Sequence, residues 1–311
     1  MLNELTNLNK PFGEVLEKYF SRASPAYVVA PFININALER ILLNVDDAMI
    51  LTSWRPDHLV SGYSTLDLYK ACKEKGWTLF INDRLHAKIY SNTLLHCFLG
   101  SSNVTEAALY SNPGNIECMT YIGDIGTKGR IEINRLFALS TLVDDRIYNQ
   151  YLRWYESLDQ SVDLDEIKGP RIDDLSPYYI SQLPATDDPH TLYDCIENRV
   201  SFDSSIEHDF AIYGVMDFDQ SQDLFMEQLS SNFFNHPFIK LFEQRVKEKP
   251  IYFGEAKLWV QENCVNVPLP HRKDLTALVH NLFYWFKTLD PQHYEIVVPG
   301  RHSECLRFIL R

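Results

Sequence analysis

The residues of this chain best suited to chemistry are His86 and Lys88, followed by the polar segment Gly100-Ser101-Ser102-Asn103 and then by Glu117. In an extended segment, side chains two positions apart project from the same face, so His86 and Lys88 are predicted to share one site. A nucleophile, a cation and hydroxyl and amide donors can together hold and attack an anionic phosphoryl group. The pattern therefore indicates phosphoryl chemistry.

Each of these residues also has an ordinary structural explanation. A histidine in a strand is commonly half-buried, and Asn103-Val104-Thr105-Glu106 has the form of a helix capping box. The functional interpretation depends on the whole spacing and not on any single residue. His96 lies in the same predicted hairpin but outside the pattern, and we expect it to be structural.

Alternating strand and helix patterns in the first half of the chain must position these residues, and they predict an α/β layer architecture with a mixed sheet flanked by helices. The predicted strands are 26–33, 47–54, 77–81, 85–90, 94–99 and 116–122. The predicted helices are 36–44, 66–75, which Gly76 ends, 105–110 and a helical region over 131–158. The strands 85–90 and 94–99 form a hairpin with a turn at 91–93, so the candidate residues lie on this hairpin and at its exit.

The composition becomes acidic and polar from Asp159, around Gly169-Pro170, which predicts a domain boundary near residue 160. The remainder, 161–311, is expected to be rich in helices, at 222–230, 239–247, 254–263 and 274–289. A hairpin signal, Pro299-Gly300-Arg301-His302, separates two β-like runs after the last helix. Two helices followed by a hairpin have the order of a winged helix, an order that many unrelated folds share.

The composition limits the partners and the compartment. With 29 Lys and Arg against 42 Asp and Glu, the net charge is −13, so phosphate binding must come from a local basic pocket. The six cysteines are scattered without zinc spacing and are expected to be reduced thiols, mostly buried. The sequence has neither a signal peptide nor an apolar run of about 18 residues, so we expect a cytoplasmic protein that does not span a membrane.

Taken together, His86-x-Lys88, Gly100-Ser101-x-Asn103 and Glu117 resemble the phospholipase D superfamily, whose pattern is H-x-K-x4-D-x6-G-S-x-N. The spacing from His86 to Asn103 matches throughout, and the resemblance covers residues 20 to 125. Two positions depart from the family pattern. Thr93 stands where the family has Asp, and Glu117 lies further from Asn103 than is usual. Thr93 argues against the lipid-hydrolysing branch.

The resemblance implies roles for these residues. His86 would attack phosphorus and form a phosphohistidine, while Lys88, Asn103 and Ser101 or Ser102 would stabilise the charge on the non-bridging oxygens, without a metal ion or other cofactor. Glu117 would accept a hydrogen bond from the second ring nitrogen of His86. A second histidine must protonate the leaving oxygen, and the chain has a single motif. The resemblance therefore implies a homodimer with a composite active site.

The segment Leu51-Thr52-Ser53-Trp54-Arg55, with the motif, looks most like the bacterial restriction-endonuclease-like branch. This implies a DNA nuclease of a defence system, with a catalytic and dimerisation domain at 1–160 and a recognition or partner-binding domain at 161–311. Arg55 would hold a phosphate at the rim, or form an ordinary salt bridge with Asp57. The basic runs 271–273 and 301–302 are candidates for a basic patch or for plain solvated surface.

Two alternatives stay open. One is a non-catalytic or partner-dependent subunit of a multi-protein DNA defence complex, which the low basic charge favours. The other is a phospholipid phosphodiesterase or transferase, which would need a membrane anchor that the sequence does not supply.

Overall fold

A computed structural model describes residues 11–21, 25–158, 168–170, 178–197, 199–215, 218–264, 272–299 and 303–309. The chain divides into two compact units, Met1–Asp174 and Leu175–Arg311. The division falls later than the predicted boundary near residue 160. One reason is that Trp154 Nε1 donates a hydrogen bond of 2.9 Å to the carbonyl of Lys168, which ties that short segment to the first unit.

The first unit contains a seven-stranded sheet of order β6-β5-β4-β1-β2-β3-β7. The strands are β1 Ala26–Val29, β2 Ala48–Thr52, β3 Thr78–Ile81, β4 Ile89–Asn92, β5 His96–Gly100, β6 Met119–Ile122 and β7 Thr141–Leu142. Strands β1, β2 and β3 are parallel, and β4 pairs antiparallel with β1. The hairpin β4-β5 and then β6 extend the sheet on one side, and β7 pairs antiparallel with β3 on the other. The predicted mixed α/β sheet is confirmed.

Helices cover both faces of this sheet. They are α1 Gly13–Phe20, α2 Ile35–Ile41, α3 Pro56–Val60, α4 Asp67–Lys75, α5 Glu106–Leu109, α6 Gly126–Ala138 and α7 Asp145–Glu156. Residues of α1, α2, α4 and α7 join one buried cluster with Val28, Ile50 and Tyr90. Ile133 and Phe137 of α6 pack on the opposite face, against Val29 and Leu51. This alternation along β1 and β2 is what a sheet buried on both faces requires.

Two local predictions in this unit are wrong. The region 131–158 is not one helical stretch, because the short strand β7 separates α6 from α7 and pairs with the edge strand β3. The turn of the hairpin lies at 93–95 and not at 91–93, and β4 begins at Ile89 and not at Leu85. Thr93 and Leu94 have φ angles of 60° and 57°, a left-handed pair that lets Asn92 face His96 across a tight turn.

The second unit is rich in helices, as predicted. It comprises α8 His190–Ile196, α9 Ser204–Tyr213, α10 Gln222–Asn235, α11 Pro237–Glu248, α12 Phe253–Asn263 and α13 Arg272–Leu289, with strands β8 Ile251–Tyr252, β9 Tyr294–Val297 and β10 Cys305–Phe308. The three strands form an antiparallel sheet of order β8-β10-β9. The succession α11-β8-α12-α13-β9-β10, with β10 between the other two strands, is the order of a winged helix. The strand β8 and the helices α8 and α9 were not predicted from the sequence.

A buried carboxylate organises the start of this unit. Asp209 is completely buried and accepts hydrogen bonds from the backbone amides of Ala185 and Thr186 and from the Thr186 hydroxyl. Its neighbour His208 lies 2.9 Å away through Nδ1. Burial opposes a positive charge on His208, but the hydrogen bond and the charge of Asp209 outweigh it and raise the pKa of the imidazole.

The cysteines follow the prediction of free thiols. All six are unpaired; Cys118 is exposed and the other five are buried. Within the described parts of the chain, no helix is both long and apolar enough to cross a bilayer.

Candidate active site

One edge of the seven-stranded sheet gathers the predicted site residues. Val29, at the end of β1, pairs with Ile89 at the start of β4, and Ile89 pairs with Leu99 near the end of β5. Gly100 in turn pairs with Met119 at the start of β6. The segments that enter β4, leave β5 and enter β6 therefore meet at one edge. They carry His86 and Lys88, Ser101 to Asn103, and Glu117 respectively.

His86 and Lys88 lie in the extended segment just before β4, and their environments differ. The side chain of His86 is exposed, and none of the described side chains forms a hydrogen bond with its imidazole. Lys88 has 7% of its surface exposed, and its Nζ donates to the carbonyl of His86 over 2.8 Å. Burial lowers the pKa of Lys88, and the negative charge of Glu117 opposes that shift. The site thus combines an accessible imidazole with a buried ammonium group.

Glu117 has partners other than the one predicted for it. Its carboxylate accepts a hydrogen bond from Ser101 Oγ and another, of 3.1 Å, from Asn115 Nδ2. The hydroxyl of Ser101 also accepts from the backbone amide of Cys118 over 2.9 Å. The predicted hydrogen bond between Glu117 and His86 is therefore not formed in this structure. Glu117 holds Ser101 and acts on Lys88 through its charge.

Ser102 and Asn103, which follow Ser101, differ in burial and in hydrogen-bond partners. Ser102 is completely buried, so the predicted direct contact with substrate is not available to its hydroxyl in this conformation. Its carbonyl accepts a hydrogen bond of 2.7 Å from the buried Tyr90 hydroxyl, which anchors the segment to β4. Asn103 does not cap the following helix, because Thr105 does so by accepting from the Ala108 amide. The Oδ1 atom of Asn103 is buried without a hydrogen-bond partner.

Gly100 is required by the close packing of β5 against the entrance to β6. A Cβ atom at this position would lie 2.1 Å from the carbonyl oxygen of Cys118 and 2.8 Å from Cα of Met119. Any side chain would push Glu117 and Cys118 away from the edge. The glycine of the motif therefore brings Ser101 within hydrogen-bonding distance of Glu117.

Arg55 lies at the same edge, after β2, and its guanidinium is already engaged. Its Nε and Nη2 donate to the two carboxylate oxygens of Asp57 over 3.0 Å and 2.8 Å. The salt bridge considered for Arg55 is thus formed, and the pair is largely exposed. The guanidinium that was predicted to hold a phosphate is therefore paired with a carboxylate in this structure.

His58 and Asp83 belong to this edge, and the sequence did not single them out. His58 Nδ1 lies 3.3 Å from Ser53 Oγ, and its Nε2 lies 3.7 Å from Asp57. Burial lowers the pKa of His58, although the charge of Asp57 opposes the shift. Burial likewise raises the pKa of Asp83, which the charges of Arg55 and His58 counteract. The sequence signal that could have identified His58 is its position one helical turn after Arg55, a residue that was itself predicted to lie at the rim of the site.

Thr93, the departure from the family pattern, lies away from this edge. It follows Asn92 at the far end of β4, in the hairpin turn, whereas His86 and Lys88 precede the near end of the same strand. His96 is structural, as expected, since its Nδ1 pairs with the Tyr19 hydroxyl at 2.8 Å.

Two further observations concern ligands. Among the described residues, no group of three or more His, Cys, Asp or Glu side chains is arranged to hold a metal ion. The candidate basic runs at 271–273 and 301–302 fall outside the residues whose side chains the structure describes.

The first unit combines a seven-stranded mixed sheet with a motif that resembles the phospholipase D superfamily. No family model and no curated protein matches the sequence. Among solved structures, one that is similar is a phospholipase D family member, Nuc from Salmonella typhimurium. The match covers 46% of this chain and 97% of the Nuc chain, with 13% sequence identity and a TM-score of 0.37. NucT from Helicobacter pylori matches 46% of this chain and 99% of its own at 14% identity and a TM-score of 0.37.

A third solved structure is TrmBL2, an archaeal chromatin protein with a novel mode of DNA binding. It matches 46% of this chain and 55% of its own at 16% identity and a TM-score of 0.33.

Proposed function

We propose that this chain is a metal-independent phosphodiesterase that cleaves DNA through a phosphohistidine at His86. The observation that carries the proposal is the convergence on one sheet edge of three separate segments, which carry the exposed His86 with the buried Lys88, then Asn103, and then Glu117. The supporting geometry is local, so the overall charge of −13 does not oppose it.

The reaction would run in two displacements. An imidazole nitrogen of His86 attacks phosphorus, a P–N bond forms, the P–O bond to the leaving nucleoside breaks, and a proton donor supplies the leaving oxygen with its proton. Water then attacks the phosphohistidine and gives a proton to the deprotonated donor of the first step, the P–N bond breaks, and a phosphomonoester and free His86 are left. Lys88 and Asn103 would stabilise the non-bridging oxygens during both steps. Ser101, fixed by Glu117, would donate to the same group.

The proton donor is proposed to be the same histidine of a second copy of the chain. A two-fold dimer would place two sheet edges face to face and give each His86 a partner. The test is the oligomeric state by light scattering, combined with interface substitutions. A monomeric variant that still cleaves at the wild-type rate would exclude the composite site.

The second unit is proposed to recognise DNA or a partner protein. Its charge is segregated: residues 175–236 contain eleven Asp and Glu and one basic residue, whereas 237–311 contain eleven Lys and Arg and eight Asp and Glu. The basic surplus coincides with the winged-helix succession, in which a helix and a hairpin loop can contact a duplex. Substitution of the exposed Lys249 and Lys287 by Glu would then weaken DNA binding and reduce its salt dependence.

The role in a bacterial restriction or defence system is proposed from the resemblance of 51–55 and the motif to that branch. The acidic balance of the whole chain favours a variant of this role, in which the protein acts as a subunit and needs an ATPase or another partner to engage DNA. A subunit of this kind would cleave only in the presence of the proteins that co-purify with it.

The deciding experiment incubates the wild type and His86→Ala with labelled single- and double-stranded DNA in excess EDTA. Cleavage and a covalent protein–DNA adduct with the wild type alone are the expected results. Cleavage that disappears in EDTA and returns with Mg²⁺ would refute the metal-independent mechanism. Cleavage by His86→Ala at the wild-type rate would show that His86 takes no part in the reaction.

A further inference from the structure

A cavity of about 700 Å³ opens beside the motif residue Asn103, at the same sheet edge. Its walls come from the segment after β1 (Phe32 to Asn36), the loop Gly62 to Thr65, the segment Asn103 to Ala107, and Asn115. A volume of this size is within the range of pockets that enclose small organic ligands. The phosphoryl chemistry at His86 does not account for it.

Two aromatic rings form one wall of the cavity. The rings of Phe32 and Tyr63 have their centroids 5.5 Å apart with an angle of 37° between their planes. Tyr63 is 63% exposed, so its ring is accessible to a ligand from solvent. The ring of His58 braces Phe32 from another direction, with centroids 4.8 Å apart in a T-shaped contact. A flat ligand could stack on this supported, solvent-facing surface.

The other walls are largely polar, and Glu106 is the one charged side chain among the described lining residues. They carry the side-chain amides of Asn34, Asn36, Asn103 and Asn115. Asn34 caps α2 through Oδ1 and Asn115 donates to Glu117, but Oδ1 of Asn103 is buried without a partner. Amides offer a donor and an acceptor side by side, which is the hydrogen-bonding pattern on the edge of a nucleobase.

The charge of the cavity excludes a phosphate as its occupant. The described lining contains no Lys or Arg, and its one carboxylate, Glu106, lies 3.7 Å from the guanidinium of Arg40. An anion would gain nothing here, whereas a neutral aromatic heterocycle would gain both stacking and hydrogen bonds.

From these features we infer that the cavity binds an unstacked nucleobase, and that the chain engages single-stranded nucleic acid. Asn103 belongs both to the cavity wall and to the motif, and Asn115 connects the cavity to Ser101 through Glu117. A base held here brings a neighbouring phosphodiester to the edge that carries Lys88. In a duplex the base is paired and stacked, and extracting it costs energy, so single strands are preferred.

The inference deepens the proposed function with respect to substrate, and the cleavage of a bound strand rests on that function. Binding itself does not, and so it is measured without catalysis. The probes are a fluorescein-labelled oligothymidylate and the same strand annealed to oligodeoxyadenylate. Their affinities for the full-length His86→Ala protein are compared by fluorescence anisotropy.

We expect the single strand to bind at least about tenfold more tightly than the duplex, and Tyr63→Ala to weaken single-strand binding about tenfold, the loss typical of one stacked base. Tyr63→Phe retains the ring and should bind normally. The matched control is Tyr155→Ala, which removes an exposed ring of α7 that does not line the cavity. Because Tyr63 is exposed, its substitution is not expected to alter the thermal midpoint.

Equal affinity for the two probes, no detectable binding of either, or an unchanged affinity of Tyr63→Ala would each overturn the base pocket. Its failure is distinguishable from failure of the proposed function. A wild type that binds single strands through Tyr63 but never cleaves them leaves the pocket intact and refutes the phosphodiesterase. Cleavage of duplex DNA that Tyr63→Ala does not affect would support the phosphodiesterase and refute the base pocket.

Discussion

Lys88 donates from its Nζ to the backbone carbonyl of His86 over 2.8 Å, so the cation folds back along the chain toward the residue that carries the proposed nucleophile. The bond uses one of the three donors of the ammonium group. The other two can point toward a phosphoryl oxygen held beside His86. Because the ammonium is buried, its interaction with such an oxygen would be stronger than in water.

Lys88→Met should separate activity from stability. We expect kcat to fall at least about a hundredfold, because a charge aimed at the non-bridging oxygens is lost. The free energy of unfolding should rise by about 1 kcal/mol, because burial of an ammonium group costs energy that a methionine of similar length does not incur. Steady-state cleavage and urea unfolding measure the two effects. The control Lys75→Met alters an exposed lysine of α4 and should change neither, and an unchanged kcat in Lys88→Met would exclude the assigned role.

Glu117→Gln should shift the pH dependence of cleavage. Burial lowers the pKa of Lys88 and the charge of Glu117 raises it, so loss of that charge lowers the pKa further. If cleavage requires Lys88 to be protonated, the alkaline limb of the pH–rate profile moves to lower pH. The glutamine oxygen can still accept from Ser101, so positioning of the hydroxyl is retained. Glu132→Gln, on the exposed side of α6, serves as the control, and a limb that stays in place would refute the coupling.

Thr93→Asp, which restores the residue of the family pattern, should leave cleavage unchanged, because Thr93 lies at the end of β4 remote from the site. Thr93→Gly should stabilise the protein by about 1 kcal/mol, since a β-branched residue at a φ of 60° is strained and glycine is not. Thermal unfolding and the cleavage rate of both variants are the measurements. A gain in activity of Thr93→Asp would mean that the hairpin turn influences the site at the opposite end of β4.

His236 should make the second unit sensitive to acid. It is half-buried, its Nδ1 is buried without a hydrogen-bond partner, and burial lowers its pKa from 6.5 to about 4. A depressed pKa means that the unfolded chain binds the proton more readily, so stability falls as the pH drops below about 6.5 and has lost about 3 kcal/mol below pH 4. His236→Leu should remove this dependence in urea unfolding experiments between pH 4 and pH 8.

His208 supplies a control of opposite sign for that experiment. Its pKa is raised, so its contribution to stability is complete below its unfolded pKa and is lost as the pH rises through its folded pKa. His208→Gln should therefore flatten the neutral-to-alkaline side of the profile and leave the acid side. A wild-type acid loss that persists in His236→Leu would assign it to other groups.

The sequence predicted most of the first unit because its signals are local. The helix ending at Gly76 is confirmed, with φ at 75° as a left-handed cap requires, and the parallel strands read as uninterrupted apolar runs. Strand β7 was missed because two residues between helices carry no periodicity. Its position is decided by pairing with β3, a contact between distant parts of the chain.

The candidate site was predictable in membership but not in detail. The resemblance to a family motif grouped His86, Lys88, Asn103 and Glu117, and the structure brings the segments that carry them to one edge of the sheet. The partners of Glu117 depend on how closely β6 approaches Gly100, which is a matter of tertiary packing. The cavity at Phe32 and Tyr63 depends on loops that follow two separate strands, and no motif marks it.

Every segment of the proposed site precedes Met119, and the last strand of the sheet ends at Leu142. During synthesis the first unit can therefore fold before most of the second has been made. A nuclease completed this early would reach the cell's own nucleic acid before its recognition region existed. A requirement for a second copy of the chain would delay activity until finished subunits meet, so dimerisation would protect the host as well as supply a proton donor.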